Sequence, residues 1–409
     1  MPGRGAAPGM NGVPDPGTSV DAVVVVGGST AGATAMRELR GHGFDGRLVL
    51  VDPEDGTNRP PLSKSVLAGE AADASVLMDH AALDLEHHRT AAVGLDPAER
   101  VLRTADGGAR RYDALVVASG ARARRLAEPG QRGEVVLRTL DDARHLRNRL
   151  TAARTVVVVG AGFLGLEVAS AAARAGAAVT VVDAAPPLQR LVGEHLADVL
   201  VRQAAGAGIR FRQATVRLSG DPVDGVLLDG AHLPADLVVT CAGDEPAVDW
   251  LAGTGADLRG GLVIDQRART SLPGVWAAGD AAVVRGGDGV VRQPFWANAV
   301  AQGRVAAADV LGRPVDGPVL DPYSWTEVAG LSLKVVGPLP VHGPPRVVDG
   351  AVDGPGLLAW GDHTVAALGV RSSAPRLRQL LRLLGDDTPG EGPTLSPASR
   401  GTRHLDHQI

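Results

Sequence analysis

The stretch that decides the fold is VVVVGAGFLG at residues 156–165, and an earlier stretch, VVVVGGSTAG at residues 23–32, has the same form. Each is a run of valines that ends in closely spaced glycines, and an alanine-rich segment of helical character follows. A continuous apolar run bounded by glycine is typical of a parallel strand that is buried on both faces. The repeat therefore predicts two units of strand, tight turn and helix in an α/β fold.

The second stretch contains a complete G-x-G-x-x-G motif at Gly160, Gly162 and Gly165. In a dinucleotide-binding unit the first glycine permits the tight turn and the second lets the backbone approach a pyrophosphate. The third lets the helix pack close to the strand. Because free N–H groups and the helix dipole favour phosphates at the start of the helix, these positions are predicted to bind a dinucleotide.

The first stretch departs from this motif at one position. Gly27 and Gly32 take the outer places, Ser29 stands where the middle glycine belongs, and Ala31 precedes the last glycine. Because serine is small, we expect the turn to keep its pocket, with a tighter fit against the pyrophosphate. These four positions are predicted to contact a first dinucleotide.

Each unit continues into a second strand that ends in an acidic residue, in RLVLVDPE and in AAVTVVDA. An acid about 20 residues after the last glycine can hold a ribose hydroxyl. Glu54 meets this spacing in the first unit, with Asp52 as a nearer competitor, and Asp183 meets it in the second. Asp183 also predicts a preference for NADH over NADPH, since a 2′-phosphate would meet like charge there.

Length and composition exclude several other classes of function. At 409 residues with 44% hydrophobic residues, the chain can form two or three domains with sizeable cores. The net charge of −5 and the lack of a long apolar run make nucleic acid and membrane partners unexpected. Cys241 is the only cysteine, which excludes an intrachain disulfide and a redox-active cysteine pair, and no metal site is predicted. Since the start of the chain has no apolar leader, the expected compartment is the cytoplasm.

The order of elements predicts one dinucleotide domain inserted into another. A strand–helix–strand unit with a meander is followed by a second such unit and meander, and then by a buried return strand, GVWAAGD at 274–280. From about residue 320 the pattern changes to a small sheet with a closing helix. The predicted ranges are a disordered tail at 1–20, the first dinucleotide domain at 21–124 and 248–318, the inserted domain at 125–247, a small α+β C-terminal domain at 319–385 and a disordered tail at 386–409.

Five motifs follow one another along the chain, namely VVVVGGSTAG (23–32), RPPLSK (59–64), VVVVGAGFLGLE (156–167), WAAGD (276–280) and WANAVAQG (296–303). Together they resemble the FAD-dependent, NADH-using ferredoxin reductases of the putidaredoxin reductase type, over about residues 21–385. The resemblance implies two Rossmann-like domains, with an NAD domain inserted in an FAD domain, and a C-terminal interface domain. It implies FAD and NADH as cofactors, a ferredoxin or other small iron–sulfur carrier as partner, and service to an oxygenase.

The resemblance also implies roles for particular residues. Asp280 is expected to hold the ribitol of FAD, and Lys64 is expected beside the isoalloxazine. Trp296 is expected against the flavin, and Glu167 in the nicotinamide pocket. We predict in addition that Lys64 and Glu167, which come from different domains, form an ion pair that tunes hydride transfer. The remaining expected cofactor contacts are Arg59, Arg138 at the FAD phosphates, and Gly243.

Three other functions stay open. GGSTA at 27–31 resembles the nucleophile elbow of a hydrolase, with Ser29 as the nucleophile, although Ala31 replaces the last glycine of that motif. An NADH-responsive flavoprotein like apoptosis-inducing factor, with weak reductase activity, is favoured by departures from the family pattern at Ser29, Phe295 and Ser324. An enzyme like monodehydroascorbate reductase is the third alternative. The oligomeric state is open as well.

Overall fold

The computed structural model describes residues 20–287 and 289–386. The predicted disordered tails lie outside these ranges, except for Val20 and Asp386 at their inner ends. Asp386 is the last residue of a helix, so the predicted boundary at 385 ends one residue short of that element. None of the helices in these ranges is long and apolar enough to cross a membrane.

The first unit is built on the earlier valine run. Its elements are β1 (Ala22–Val26), α1 (Thr30–Gly41), β2 (Arg47–Val51), β3 (Glu86–His88), β4 (Ala92–Asp96), β5 (Val101–Thr104), β6 (Ala109–Arg111), β7 (Ala114–Val117) and β8 (Ala121–Ala123). β1 pairs in parallel with β2 and with β7, so that Val24 lies beside both Val49 and Leu115. All three side chains are fully buried, as expected for a central parallel strand. Strands β4 to β6 form the antiparallel meander.

The inserted unit repeats this plan. Its elements are β9 (Val135–Val136), α2 (Leu140–Leu150), β10 (Thr155–Val159), α3 (Phe163–Arg174), β11 (Ala178–Asp183), α4 (Gln189–Val192), α5 (Glu194–Gly206), β12 (Arg210–Gln213), β13 (Val216–Gly220), β14 (Val223–Leu228), β15 (Ala231–Pro234), β16 (Leu237–Thr240) and β17 (Asp244–Pro246). The parallel sheet has the order β12-β11-β10-β16-β9. Helix α2 begins at Thr139, whose hydroxyl accepts from Asp142 N while the Asp142 carboxylate accepts from Thr139 N. This capping box satisfies free backbone N–H groups at the start of the helix and fixes where the helix begins.

The chain then returns to the first unit. The elements are β18 (Leu262–Ile264), β19 (Val275–Ala277), β20 (Ala282–Arg285), β21 (Val290–Val291) and α6 (Trp296–Val310). β19 pairs in parallel with β7 and completes a sheet of order β19-β7-β1-β2-β3. Helix α6 approaches α1 closely, since a Cβ on Gly303 would lie 2.6 Å from Ala31 O. The second parallel sheet therefore lies, in sequence, between two neighbouring strands of the first.

The C-terminal part is an antiparallel sheet closed by a helix. Its elements are β22 (Tyr323–Val328), β23 (Leu331–Val336), β24 (Arg346–Gly350), β25 (Gly356–Trp360), β26 (Thr364–Leu368) and α7 (Ala374–Asp386). One face of the sheet, including Leu333 and Val335, shares a hydrophobic core with Leu166 and Val168 of α3. Leu377 of α7 packs in a separate core with this sheet. Two dinucleotide-type units, one inserted in the other, and a small α+β part confirm the predicted fold class.

Candidate functional site

Both glycine turns open onto one cleft of about 2050 Å³, which is lined by residues of both units. We call the part of the cleft at the Gly27 turn the first pocket and the part at the Gly160 turn the second pocket. The site residues predicted from the sequence line this cleft, with Gly32 and Gly165 as exceptions. A Cβ on Gly32 would lie 1.9 Å from Gly27 O, and one on Gly165 would lie 1.9 Å from Gly160 O. These two glycines let each helix pack closely on its turn, and their contact with a dinucleotide stays a prediction.

The first glycine of each turn is required by its backbone conformation. Gly27 has a φ of +95° and Gly160 a φ of +110°, a region that favours glycine. A Cβ on Gly27 would lie 2.2 Å from Ala118 O, and one on Gly160 would lie 2.2 Å from Cys241 O. Each turn thus passes close to the residue that follows a neighbouring strand.

The middle position differs between the two turns. At Gly162 the nearest atom to an added Cβ is Leu191 Cδ1, at 3.5 Å, so the turn itself is open toward the cleft. Ser29 Oγ instead accepts a hydrogen bond from Thr57 N at 3.3 Å. Within the described ranges no histidine or other base bonds to Ser29 Oγ, so the hydrolase alternative lacks the base that would activate its nucleophile.

An aspartate at the end of the second strand braces each glycine turn. Asp52 Oδ2 accepts from Gly28 N at 2.5 Å, and Asp183 Oδ2 accepts from Ala161 N at 2.8 Å. Gly28 and Ala161 occupy the same position in their turns, immediately after the first glycine. The two aspartates are therefore structural counterparts that tie the turn to the neighbouring strand.

The counterpart of Glu54 in the second unit is Ala185. Asp52 Oδ1 accepts from Glu54 N and Asp183 Oδ1 accepts from Ala185 N, both at 2.9 Å. Burial raises the pKa of Glu54, and the nearby Arg59 opposes that rise. Glu54 lines the cleft, and its Oε2 lies 4.0 Å from Arg59 Nη2. Asp183 lines the second pocket with both oxygens already engaged, although each oxygen has a further lone pair for a hydroxyl.

Two arginines lie together in the first pocket. Arg59 Nη1 donates to Arg138 O, and burial together with the charge of Arg138 lowers the pKa of Arg59. Arg138 Nη2 donates to Asp280 Oδ2 at 2.6 Å, while Arg138 Nε is buried and has no hydrogen-bond partner in the described part of the chain. Two adjacent guanidinium groups that line the cleft fit the pyrophosphate of a dinucleotide.

Arg292 and Asp244 belong to the same charge cluster and were not predicted from the sequence. Arg292 Nη1 donates to Asp244 Oδ1 at 2.6 Å, and Arg292 Nη2 donates to Asp280 O at 3.1 Å. Asp244 Oδ2 also lies 3.9 Å from Arg138 Nη1. Asp244 comes directly after Gly243 and just beyond β16, at the carboxyl end of a parallel strand, which is a signal for a ligand-binding edge. No spacing rule points to Arg292.

Lys64 and Glu167 meet as an ion pair, as the sequence predicts. Lys64 Nζ lies 2.8 Å from Glu167 Oε2, and the Glu167 side chain is only 7% exposed. Ser63 Oγ donates to the same oxygen at 2.5 Å, and Thr326 Oγ1 donates to Glu167 Oε1 at 2.7 Å. Ser63 and Thr326 were not predicted, because their contacts join residues that are far apart in sequence and the family resemblance implies no role for either residue.

Aromatic side chains lie at one side of the cleft. Trp296, which lines the cleft and is 40% exposed, meets Trp325 edge to face with ring centroids 5.7 Å apart. Trp325 stacks on Tyr323 at 5.5 Å, and the Arg378 guanidinium lies over the Tyr323 ring. Trp296 is therefore available to contact a ligand in the cleft and is not a core residue.

Cys241 also lines the cleft but is not a reactive thiol. Burial, reinforced by the charge of Glu167, raises the pKa of Cys241 to about 12. The thiol is therefore protonated at neutral pH, whereas nucleophilic and redox-active cysteines react as thiolates.

Comparisons with known proteins agree with this geometry. The pyridine nucleotide-disulphide oxidoreductase family matches residues 21–303. The rubredoxin-NAD(+) reductase of Pseudomonas putida is 33% identical over 335 residues, which are 78% of this chain and 87% of that protein. The ferredoxin–NAD(+) reductase component of the biphenyl dioxygenase system of Paraburkholderia xenovorans is 33% identical over 344 residues, 80% of this chain and 83% of that protein. A solved complex of putidaredoxin reductase with putidaredoxin contains a similar chain, with a TM-score of 0.80, 30% identity, and coverage of 90% of this chain and 93% of that one.

Proposed function

Because this chain belongs to the pyridine nucleotide-disulphide oxidoreductase family, we propose that it is a flavoprotein reductase that passes electrons from NADH through FAD to a ferredoxin-type iron–sulfur protein serving an oxygenase. The observation that carries this proposal is the shared cleft. Two dinucleotide turns open onto it, and the Lys64–Glu167 ion pair joins residues of the two units on its wall. Relatives named as ferredoxin and rubredoxin reductases, similar over most of their length, support the same acceptor class.

FAD is assigned to the first pocket. The Gly27 turn is assigned to its pyrophosphate together with Arg59 and Arg138, since all three line this part of the cleft and the two guanidinium groups are cationic. Glu54 is assigned to the ribose hydroxyls and Asp280 to the ribitol. Trp296 is assigned to the flavin, since its ring lines the cleft and is partly exposed. The wider site also includes Ser29, Ala31 and Gly243.

NADH is assigned to the second pocket. The Gly160 turn and the open space at Gly162 suit its pyrophosphate, and Asp183 is assigned to the adenosine ribose. The nicotinamide then extends toward Glu167, which lines the same cleft. These assignments follow the inserted order of the two units, in which the FAD domain comprises 21–124 and 248–318 and the NAD domain 125–247.

The residues of this chain orient the reacting groups and shield them from water. Bound FAD supplies the chemistry that converts a two-electron donor into single electrons for an iron–sulfur acceptor. Lys64 contributes a positive charge, and Glu167 partly neutralises it at 2.8 Å. In a cleft shielded from water such charges act through a lower effective dielectric than at an open surface. With Cys241 as the only cysteine and its thiol protonated, no disulfide relays the electrons, so they leave directly from the flavin. We place the activity in the cytoplasm, which suits a lone reduced thiol.

The test is NADH-driven reduction of a panel of ferredoxins and rubredoxins by the purified protein. We expect a yellow protein with about one FAD per chain and rapid reduction of at least one iron–sulfur carrier. Absence of FAD even after reconstitution would overturn the cofactor assignment. Slow flavin reduction with a long-lived charge-transfer complex, and no transfer to any carrier, would instead favour an NADH-responsive flavoprotein.

A further inference from the structure

Glu167 is held by three separate parts of the chain. Its Oε2 accepts from Ser63 and Lys64, which follow the two prolines of RPPLSK in the first unit. Its Oε1 accepts from Thr326, on strand β22 of the C-terminal sheet. Glu167 itself lies on α3 of the inserted unit. One buried carboxylate therefore joins all three parts of the molecule.

Thr326 is placed by the sheet and not by a flexible loop. Its side chain is 1% exposed, and its backbone lies opposite Leu333 in the β22–β23 pair. A second contact ties the same strand end to α3, because Ser170 Oγ accepts from Ala329 N at 2.9 Å. Ser170 is one turn beyond Glu167 on the helix, so β22 and α3 are joined at two successive positions.

Thr326 and Lys64 act on different oxygens of the same carboxylate. No hydrogen bond joins Thr326 to Lys64 in the described ranges, and Thr326 is the one donor to Glu167 Oε1 there. Without that hydroxyl, a buried carboxylate oxygen would lose its partner, and the side chain would turn to find another. Since Ser63 and Lys64 would then hold the carboxylate through Oε2 alone, we expect the carboxylate to rotate and its contact with the Lys64 ammonium to weaken.

We propose that Thr326 is a positioning residue, whose hydroxyl holds Glu167 in the orientation that keeps its other oxygen on Lys64. The C-terminal sheet thereby determines how strongly Glu167 neutralises the Lys64 ammonium beside the flavin. The presence of FAD at this place rests on the proposed function. The carboxylate opposes the stabilisation that an ammonium gives to reduced, more negative flavin. Loss of the Thr326 hydroxyl therefore leaves the ammonium less neutralised and moves the flavin potential to a more positive value.

The test measures the midpoint potential of bound FAD in a set of variants. Thr326→Val removes the hydroxyl at nearly constant shape, and Thr326→Ser keeps it. Thr364→Val is the matched control, because Thr364 is fully buried in the same sheet and, among the residues that the structure describes, its hydroxyl donates to Pro338 O and not to Glu167. We expect a positive shift for Thr326→Val and the wild-type potential for Thr326→Ser and Thr364→Val. Should Thr326→Val fail to load FAD, Thr326→Ala replaces it in the set.

The decisive comparison repeats Thr326→Val in a Lys64→Met background. If Thr326 acts through Glu167 on Lys64, the shift there falls to less than half of its value in the wild-type background, because the two substitutions share one partner. A shift of half or more, no shift from Thr326→Val, or an equal shift from Thr364→Val overturns the proposal. A reductive titration needs neither NADH nor an acceptor, so failure to reduce iron–sulfur carriers would refute the proposed function and leave this comparison readable.

Discussion

Replacing Arg138 by methionine is expected to weaken FAD binding about 10- to 100-fold. Arg138 lines the cleft, where its Nη2 is paired with Asp280 at 2.6 Å and its Nη1 lies 3.9 Å from Asp244 Oδ2. A hydrogen bond to a charged group contributes roughly 1.5–3 kcal/mol, which corresponds to about a 10- to 150-fold change in Kd. We expect the lower part of that range, because the side chain is 21% exposed and water can replace part of the interaction.

The same substitution is expected to change the stability of the FAD-free protein by no more than about 1 kcal/mol. It removes the partner of the Asp280 carboxylate, which is unfavourable. It also removes a cation beside Arg59, whose pKa is lowered by burial and by Arg138, and this change is favourable. Because these two effects on stability oppose each other, we expect the substitution to lower the affinity for FAD much more than the stability. This difference distinguishes a ligand-binding role of Arg138 from a structural one.

The assay is a fluorescence titration of the FAD-free protein with FAD, together with its unfolding by urea. Arg144→Met is the control, since Arg144 lies on the nearby helix α2, is 46% exposed and pairs with Asp73 and Asp141. Equal affinity of the Arg138→Met and Arg144→Met variants for FAD would refute the reasoning. So would a loss of affinity that only parallels a loss of stability.

Three further predictions concern the cleft. Lys64→Met should slow NADH-dependent flavin reduction, measured by stopped-flow absorbance, and should lower the flavin potential while FAD stays bound. An unchanged rate together with an unchanged potential would contradict this expectation. NADH should be preferred over NADPH by at least about tenfold in kcat/KM, because a 2′-phosphate would meet the Asp183 carboxylate, and equal use of both would count against that residue. Cys241→Ser should retain wild-type turnover. Because the pKa of Cys241 is raised to about 12, the thiolate forms only as the pH approaches that value, and rapid alkylation by iodoacetamide at pH 8 would show the thiol to be reactive after all.

The two dinucleotide units could be predicted because their signals are local. A valine run, a tight glycine turn and an amphipathic helix lie within about 20 residues of each other, and each part has a physical requirement of its own. The acid at Glu54 follows 22 residues after Gly32, in the same unit, and lines the cleft. The spacing rule described Asp183 less completely, because the Asp183 carboxylate also accepts a hydrogen bond from Ala161 N. Spacing alone does not reveal that contact.

Contacts between distant segments could not be predicted in this way. Arg292 reaches Asp244 across the two units, and Thr326 reaches Glu167 from the C-terminal sheet. Neither pair has a periodic pattern in the sequence, because each contact joins segments that are distant in the chain and adjacent only in the folded molecule. The Lys64–Glu167 pair was predictable only because a family resemblance placed both residues at one site.

The position of Arg138 limits how the inserted unit can be separated from the surrounding unit. It lies between β9 and α2, in the inserted segment, yet its guanidinium is bound to Asp280 of the surrounding unit. Excising the insert and closing the gap would therefore remove a cation from the pocket of the host. A graft from a related reductase would need an arginine at the same point of its own insert to restore FAD binding. Because a residue of the inserted unit completes the pocket of the surrounding unit, the two units cannot be exchanged independently of each other.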